Sequence, residues 1–110
     1  MGQYHPSNPT ATRRIKLEAM LNAICTNVYF NPPEGFKMAF PAIRYSLTDK
    51  NYNSADNIKY RNYDRCQLTI IDRDPDSDMV DQVLKLPYTS FDRSYRDEYL
   101  NYWVVNIYIN

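Results

Sequence analysis

The segment Leu68-Thr-Ile-Ile-Asp-Arg-Asp-Pro-Asp-Ser-Asp78, with its continuation to Pro87, constrains the fold more than any other part of the chain. Leu68, Ile70 and Ile71 are strand formers, and Pro75 stops a strand because it offers no backbone donor. Asp76 or Ser77 then accepts from the free N–H groups of a helix over 77–86, whose apolar stripe is Met79, Val83 and Leu86. Asp78 and Asp81 place negative charge in the first turn and Lys85 places positive charge in the last, as the helix dipole favours. Local chemistry and periodicity agree on a buried strand, an acidic turn and a capped helix.

The remaining elements are built around that unit. Residues 1–12, with Pro6, Pro9, Ser7 and Asn8, have the composition of a flexible N-terminal arm, and residues 13–110 form one domain. A helix starts near Thr10 or Thr12, carries Leu17, Met20, Leu21, Ile24 and Val28 on one stripe, and ends at Asn31-Pro32-Pro33. Ala42 to Thr48 alternates, with Ile43, Tyr45 and Leu47 on the buried face. Asp49 to Asn57 is polar and turn-prone, which predicts a long hairpin tip before a second strand that buries Cys66, Leu68 and Ile70. Tyr88 to Arg93 reads as a third strand, Ser94 to Glu98 as a polar turn and Asn101 to Ile109 as a fourth strand. Both faces of that last strand are apolar, so it is central or its second face meets another subunit. The expected fold is α+β: an antiparallel sheet of about four strands with two helices on one face, in the order α-β-β-α-β-β.

Composition excludes some functions. The chain has 110 residues, with 13 Lys plus Arg against 13 Asp plus Glu, so no global field draws it to nucleic acid or to an anionic membrane. No apolar run approaches the roughly 20 residues of a membrane span, and Met1 to Thr12 lacks the hydrophobic segment of a signal peptide; a soluble, unexported protein is expected. Cys25 and Cys66 lie in apolar surroundings without metal-ligand spacing, and both are expected to be reduced core residues. The chain has 11 Tyr and only 2 Gly, a composition suited to partly wet protein contacts.

Candidate chemistry is sparse. Asp72, Asp74, Asp76 and Asp78 alternate like the opening of a calcium loop, yet Ser77 and Val83 stand where such a loop wants glycine and a bidentate glutamate. A strand end followed by a helix cap explains them better, and no metal is expected. The one histidine, His5, lies in the arm, and Gly2 and Gly35 are too few for a phosphate-binding or nucleophile motif, so no catalytic residue and no cofactor are expected. Tyr52, Lys59, Tyr60, Arg61, Tyr63 and Arg65 interleave aromatic and basic residues as single-stranded nucleic acid binders do. Asp49, Asp56 and Asp64 dilute that patch, and a solvated hairpin that contacts a neighbouring protein is the preferred reading.

Phe40-Pro-Ala-Ile-Arg-Tyr45, Tyr63 to Ser77 and Leu86-Pro-Tyr-Thr-Ser-Phe-Asp-Arg93 resemble a family of small tailed-phage virion proteins, the minor structural, tail-completion or tail-terminator proteins. The likeness runs from about Thr12 to Ile109 and is most specific at Ile71-Asp-Arg-Asp-Pro-Asp76 and Ser90-Phe-Asp-Arg93. It implies a hexameric ring that caps the head-proximal end of the tail tube and joins the neck connector, assembled in the host cytoplasm and carried in the virion, with DNA crossing its lumen without specific binding. A head-tail connector or stopper is the alternative within the same class, and a nucleic-acid-binding accessory protein the alternative outside it. A ring needs a heterologous interface, for which the last strand and its neighbouring edge are the natural surfaces: Tyr88, Phe91, Arg93, Tyr102, Trp103 and Tyr108. Lys50, Tyr52, Lys59, Tyr60 and Arg61 form the hairpin expected to dock a tail or neck protein.

Overall fold

The computed structural model describes residues 9–49 and 63–109, which form two helices and a five-stranded mixed sheet. The elements are α1 (Pro9–Asn22), β1 (Val28–Phe30), β2 (Ala42–Asp49), β3 (Asp64–Asp72), α2 (Asp78–Leu84), β4 (Thr89–Asp97) and β5 (Leu100–Ile109). Across the sheet the order is β1-β2-β3-β5-β4. The β1–β2 pair is parallel and the others antiparallel, which corrects the expected sheet of about four antiparallel strands.

The difference lies at β1. Ile24 and Val28 are four apart, so periodicity carries the helix too far. The backbone instead tightens after Asn22, with Ile24 N–H and Cys25 N–H both donating to Leu21 C=O at 3.0 and 2.9 Å. Val28, Tyr29 and Phe30 are β-branched or aromatic and find a ladder beside β2, in the register Val28↔Ile43 and Phe30↔Tyr45. Asn31 then leaves the strand with φ 45, a left-handed conformation that asparagine tolerates. At the other end of the segment, α1 begins at Pro9, where a missing N–H costs nothing in the first turn, so the last residues assigned to the N-terminal arm are helical.

β3, α2 and β4 form a crossover with β5 inserted between the two strands, antiparallel to both. Ser77 caps α2 as its composition predicts: its Oγ accepts from Met79 N–H at 3.3 Å, with Asp78 and Asp81 in the first turn. One face of the sheet buries Ile43, Tyr45, Leu68, Ile70, Val105 and Ile107 against Leu17 and Leu21 of α1 and Met79 and Val83 of α2. Both helices therefore cover this core face. The last strand is central, as its two apolar faces require, with Trp103 packed against the core and Val104 buried on the opposite, open face.

β4 corrects the reading again. It runs through the expected polar turn to Asp97, leaving Glu98 and Tyr99 as the loop to β5. Ser94, Tyr95 and Arg96 look like a turn by composition, but an exposed edge strand needs no apolar alternation, and the ladder to β5 holds it in place.

Candidate functional site

Exposed apolar side chains gather at the two edges of the sheet. At the β4 edge, Phe91 points to the core side opposite Val105 yet remains 49 % exposed, beyond the cover of α2. Leu84 at the end of α2, Tyr95 on the open face of β4 and Tyr99 in the β4–β5 loop are also exposed. At the β1 edge, Phe30 points to the core side opposite Tyr45 and remains 43 % exposed, with the Arg14 guanidinium 4.9 Å from its ring centre. Phe36 is exposed nearby and packs edge-on against Tyr29 at 5.4 Å. Among the described residues, no strand pairs with the outer side of either β1 or β4.

The turn into β4 carries strain. Leu86-Pro87-Tyr88-Thr89 has proline followed by a residue at positive φ, the pattern of a type II turn, but the residue at φ 61 is Tyr88 rather than glycine. A side chain in this region costs about 1–2 kcal/mol. The Tyr88 ring is 60 % exposed and edge-on to Tyr63 at 5.3 Å, and hydrogen bonding with Tyr63 raises the Tyr88 phenol above its ordinary pKa. Such outliers persist only where the surrounding structure over-determines them.

The expected interface residues fall into two groups. Tyr88, Phe91 and Arg93 lie exposed along the β4 edge. Tyr102, Trp103 and Tyr108 belong to central β5 and are half-buried; Trp103 faces the core, while Tyr102 and Tyr108 face the open side. Tyr102 stacks on Tyr95 at 4.7 Å and 6°, and burial, followed by the charge of Asp97, raises its phenol pKa. Sequence reasoning missed Tyr95, hidden in an apparent turn, Tyr99, between that turn and the last strand, and Phe30, hidden in an apparent helix tail. The docking hairpin Lys50, Tyr52, Lys59, Tyr60 and Arg61 lies outside the described residues, as does His5.

The open face also carries charge. Arg44 and Arg65 alternate with buried neighbours and Arg93 stands opposite Val104, so all three point to this side, together with Gln67, Thr69 and Asn106. A cleft of about 240 Å³ lies there between Asn31, Pro32 and Arg44, Ser46, Gln67 and Thr69. On the core side, a second cleft of about 220 Å³ is lined by Arg13, Arg14, Phe30, Leu47 and Cys66 beside Asp64.

The acidic loop serves the backbone. Asp72 Oδ1 accepts from Asp74 N–H at 3.1 Å and Asp74 Oδ1 from Asp76 N–H at 2.9 Å, which builds successive turns into α2. Among the described residues, no three His, Cys, Asp or Glu side chains gather as metal ligands would. Cys25 and Cys66 are free thiols; burial, then the Asp64 carboxylate, pushes the Cys66 thiol up to about 11. No described helix is long and apolar enough to cross a membrane. The chain matches no protein family, no curated protein and no solved structure.

Proposed function

We propose that this protein is a structural component of a tailed-phage virion, a tail terminator that forms a hexameric ring at the head-proximal end of the tail tube. Its partners in this reading are further copies of itself, the tail tube protein and the neck connector proteins, with DNA crossing the lumen. The observation that carries the reading is the pair of sheet edges, each with no strand partner among the described residues and with half-exposed aromatic rings. Such edges favour association by strand addition, and two different edges on one subunit suit the heterologous contacts of a closed ring. The phage context comes from the resemblance of Ile71 to Asp76 and Ser90 to Arg93. A connector or stopper at the same neck would use the same edges.

Light scattering of the purified protein, alone and with tail tubes, followed by electron microscopy of the tube ends, tests the proposal. A ring of about six copies, or density confined to the head-proximal tube end, supports it, as closed symmetry requires. A monomer that ignores tube ends overturns it.

One observation favours a second reading. Arg44, Arg65 and Arg93 share the open face with the Tyr95–Tyr102 stack, and aromatic rings interleaved with arginine suit single-stranded nucleic acid. Salt-dependent retention on single-stranded DNA, lost in Tyr102→Ala, is the result this reading expects.

A further inference from the structure

We infer that copies of this chain join head to tail by adding the β1 edge of one to the β4 edge of the next, antiparallel, with Val28 opposite Phe91 and Phe30 opposite Thr89. The inference rests on the ring reading above and goes further by naming both sides of the junction and their register.

Strand polarity comes first. β1 runs with β2, β2 against β3, β3 against β5 and β5 against β4, so β4 runs opposite to β1. A second copy placed beside the first in one continuous sheet therefore meets β4 with an antiparallel β1. Antiparallel pairing is slightly more stable per residue than parallel.

The backbone groups also match. Asn27 C=O accepts from Ile43 N–H at 2.9 Å and Asn31 N–H donates to Tyr45 C=O at 2.8 Å, so residues 27, 29 and 31 turn toward β2. By alternation Val28 and Phe30 turn their N–H and C=O groups outward. On β4, Tyr88 C=O accepts from Tyr108 N–H at 3.1 Å, so Tyr88 and Ser90 turn toward β5. Thr89 and Phe91 therefore point their backbone groups outward, and each meets an outward residue of β1 in the proposed register.

Length and side-chain direction fix that register. Asp92 is an extra residue, bulged between Phe91 and Arg93, which separates Thr89–Phe91 from the rest of β4. This segment and β1 are each three residues long. Val28, Phe30, Thr89 and Phe91 all face the core side, opposite Ile43, Tyr45, Ile107 and Val105. The junction thus continues the core layer, and Phe30 and Phe91, half-exposed in one copy, meet across the seam. Pairing β4 with β4 through a two-fold axis is also antiparallel, but it covers one edge and leaves Phe30 and Phe36 in water. The head-to-tail contact covers both edges, and the same rotation repeated at each junction gives a ring where it closes.

Complementary variants test this. Phe30→Asp spoils β1 and leaves β4 intact, while Phe91→Asp does the reverse. Each alone is expected to be a monomer by light scattering, and an equal mixture is expected to give a dimer and nothing larger, because one good junction remains per pair. A dimer in the mixture also shows that both variants are folded. Should Phe30→Asp fail to fold by circular dichroism, Val28→Pro replaces it, since it removes an outward donor and spares the ladder to β2. A wild-type ring that survives both variants overturns the junction and leaves the ring reading standing, as does a Phe30→Asp dimer with a Phe91→Asp monomer. Wild-type protein that is monomeric both alone and with tail tubes overturns the ring reading itself.

Discussion

Removing the Arg13 guanidinium should be among the most damaging single changes to this domain. Arg13 Nη1 lies 3.0 Å from Asp64 Oδ1, and the two side chains are 14 % and 2 % exposed, so the pair joins the first turns of α1 to the start of β3 almost out of water. Arg13→Met keeps most of the apolar stem but removes the guanidinium that pairs with a buried carboxylate. Breaking one partner of a buried pair costs about 3–5 kcal/mol, whereas an apolar pair of similar volume is often neutral. The lower figure applies here because the guanidinium keeps some contact with solvent. For a domain of this size about 3 kcal/mol lowers Tm by at least about 12 °C. Urea denaturation should show a lower midpoint with an unchanged slope, since the surface exposed on unfolding is nearly the same. The double variant Arg13→Met with Asp64→Leu should regain at least half of the loss, and the cycle gives the coupling directly. A cost below about 1 kcal/mol for Arg13→Met would place the pair in the range of exposed ion pairs and refute the reasoning.

Three further outcomes follow from local chemistry. Burial raises the Cys66 thiol from 9.0 to about 11, so its contribution to stability is complete below pH 9 and is lost as pH rises through about 11. The expected loss is about 2–3 kcal/mol, read as a falling urea midpoint between those pH values that is flatter in Cys66→Ala. Ser77→Ala removes the acceptor for Met79 N–H and should cost about 1 kcal/mol in thermal unfolding. Glu98→Gly relieves the side chain at φ 54 in the β4–β5 loop, where glycine is at ease, and should stabilise by up to about 1 kcal/mol in urea; a lower midpoint would contradict the strain argument.

The sequence disclosed elements whose signals are local and missed those that tertiary contacts create. Ile43, Tyr45 and Leu47 on β2, and Cys66, Leu68 and Ile70 on β3, alternate because one face of each strand is dry; Ser77 announces α2 by its capping hydroxyl. β1 had no such signal: three residues are too few for alternation to show, and its stability comes from β2, reached only after the chain doubles back. The second half of β4 was lost for the opposite reason. It is exposed, so its sequence records solvent rather than the ladder to β5. Half of the candidate interface was therefore legible, at Tyr88 and Phe91, and its counterpart at Phe30 was not. The insertion of β5 between β3 and β4 leaves no trace in either strand's sequence beyond the two apolar faces of β5.

What unites these misses is incomplete cover at the rims. α1 and α2, of 14 and 7 residues, lie on one face of a five-stranded sheet and reach the edge strands β1 and β4, yet Phe30 and Phe91 on those edges remain half-exposed. A chain of this length buries a modest fraction of its surface, and the rings left over at the rims are apolar area that one subunit alone cannot remove from water. An open, aromatic edge also invites indiscriminate pairing, and β4 carries a recognised defence: the Asp92 bulge, with Arg93 Nη1 bound to Asp92 Oδ2 at 2.9 Å, interrupts the edge and places charge on it. That defence divides the edge into Thr89–Phe91, as long as β1, and the polar segment Arg93–Asp97. The feature that protects the edge from unrelated strands is thus the one that selects a short strand as its partner, and this chain supplies such a strand at its opposite rim.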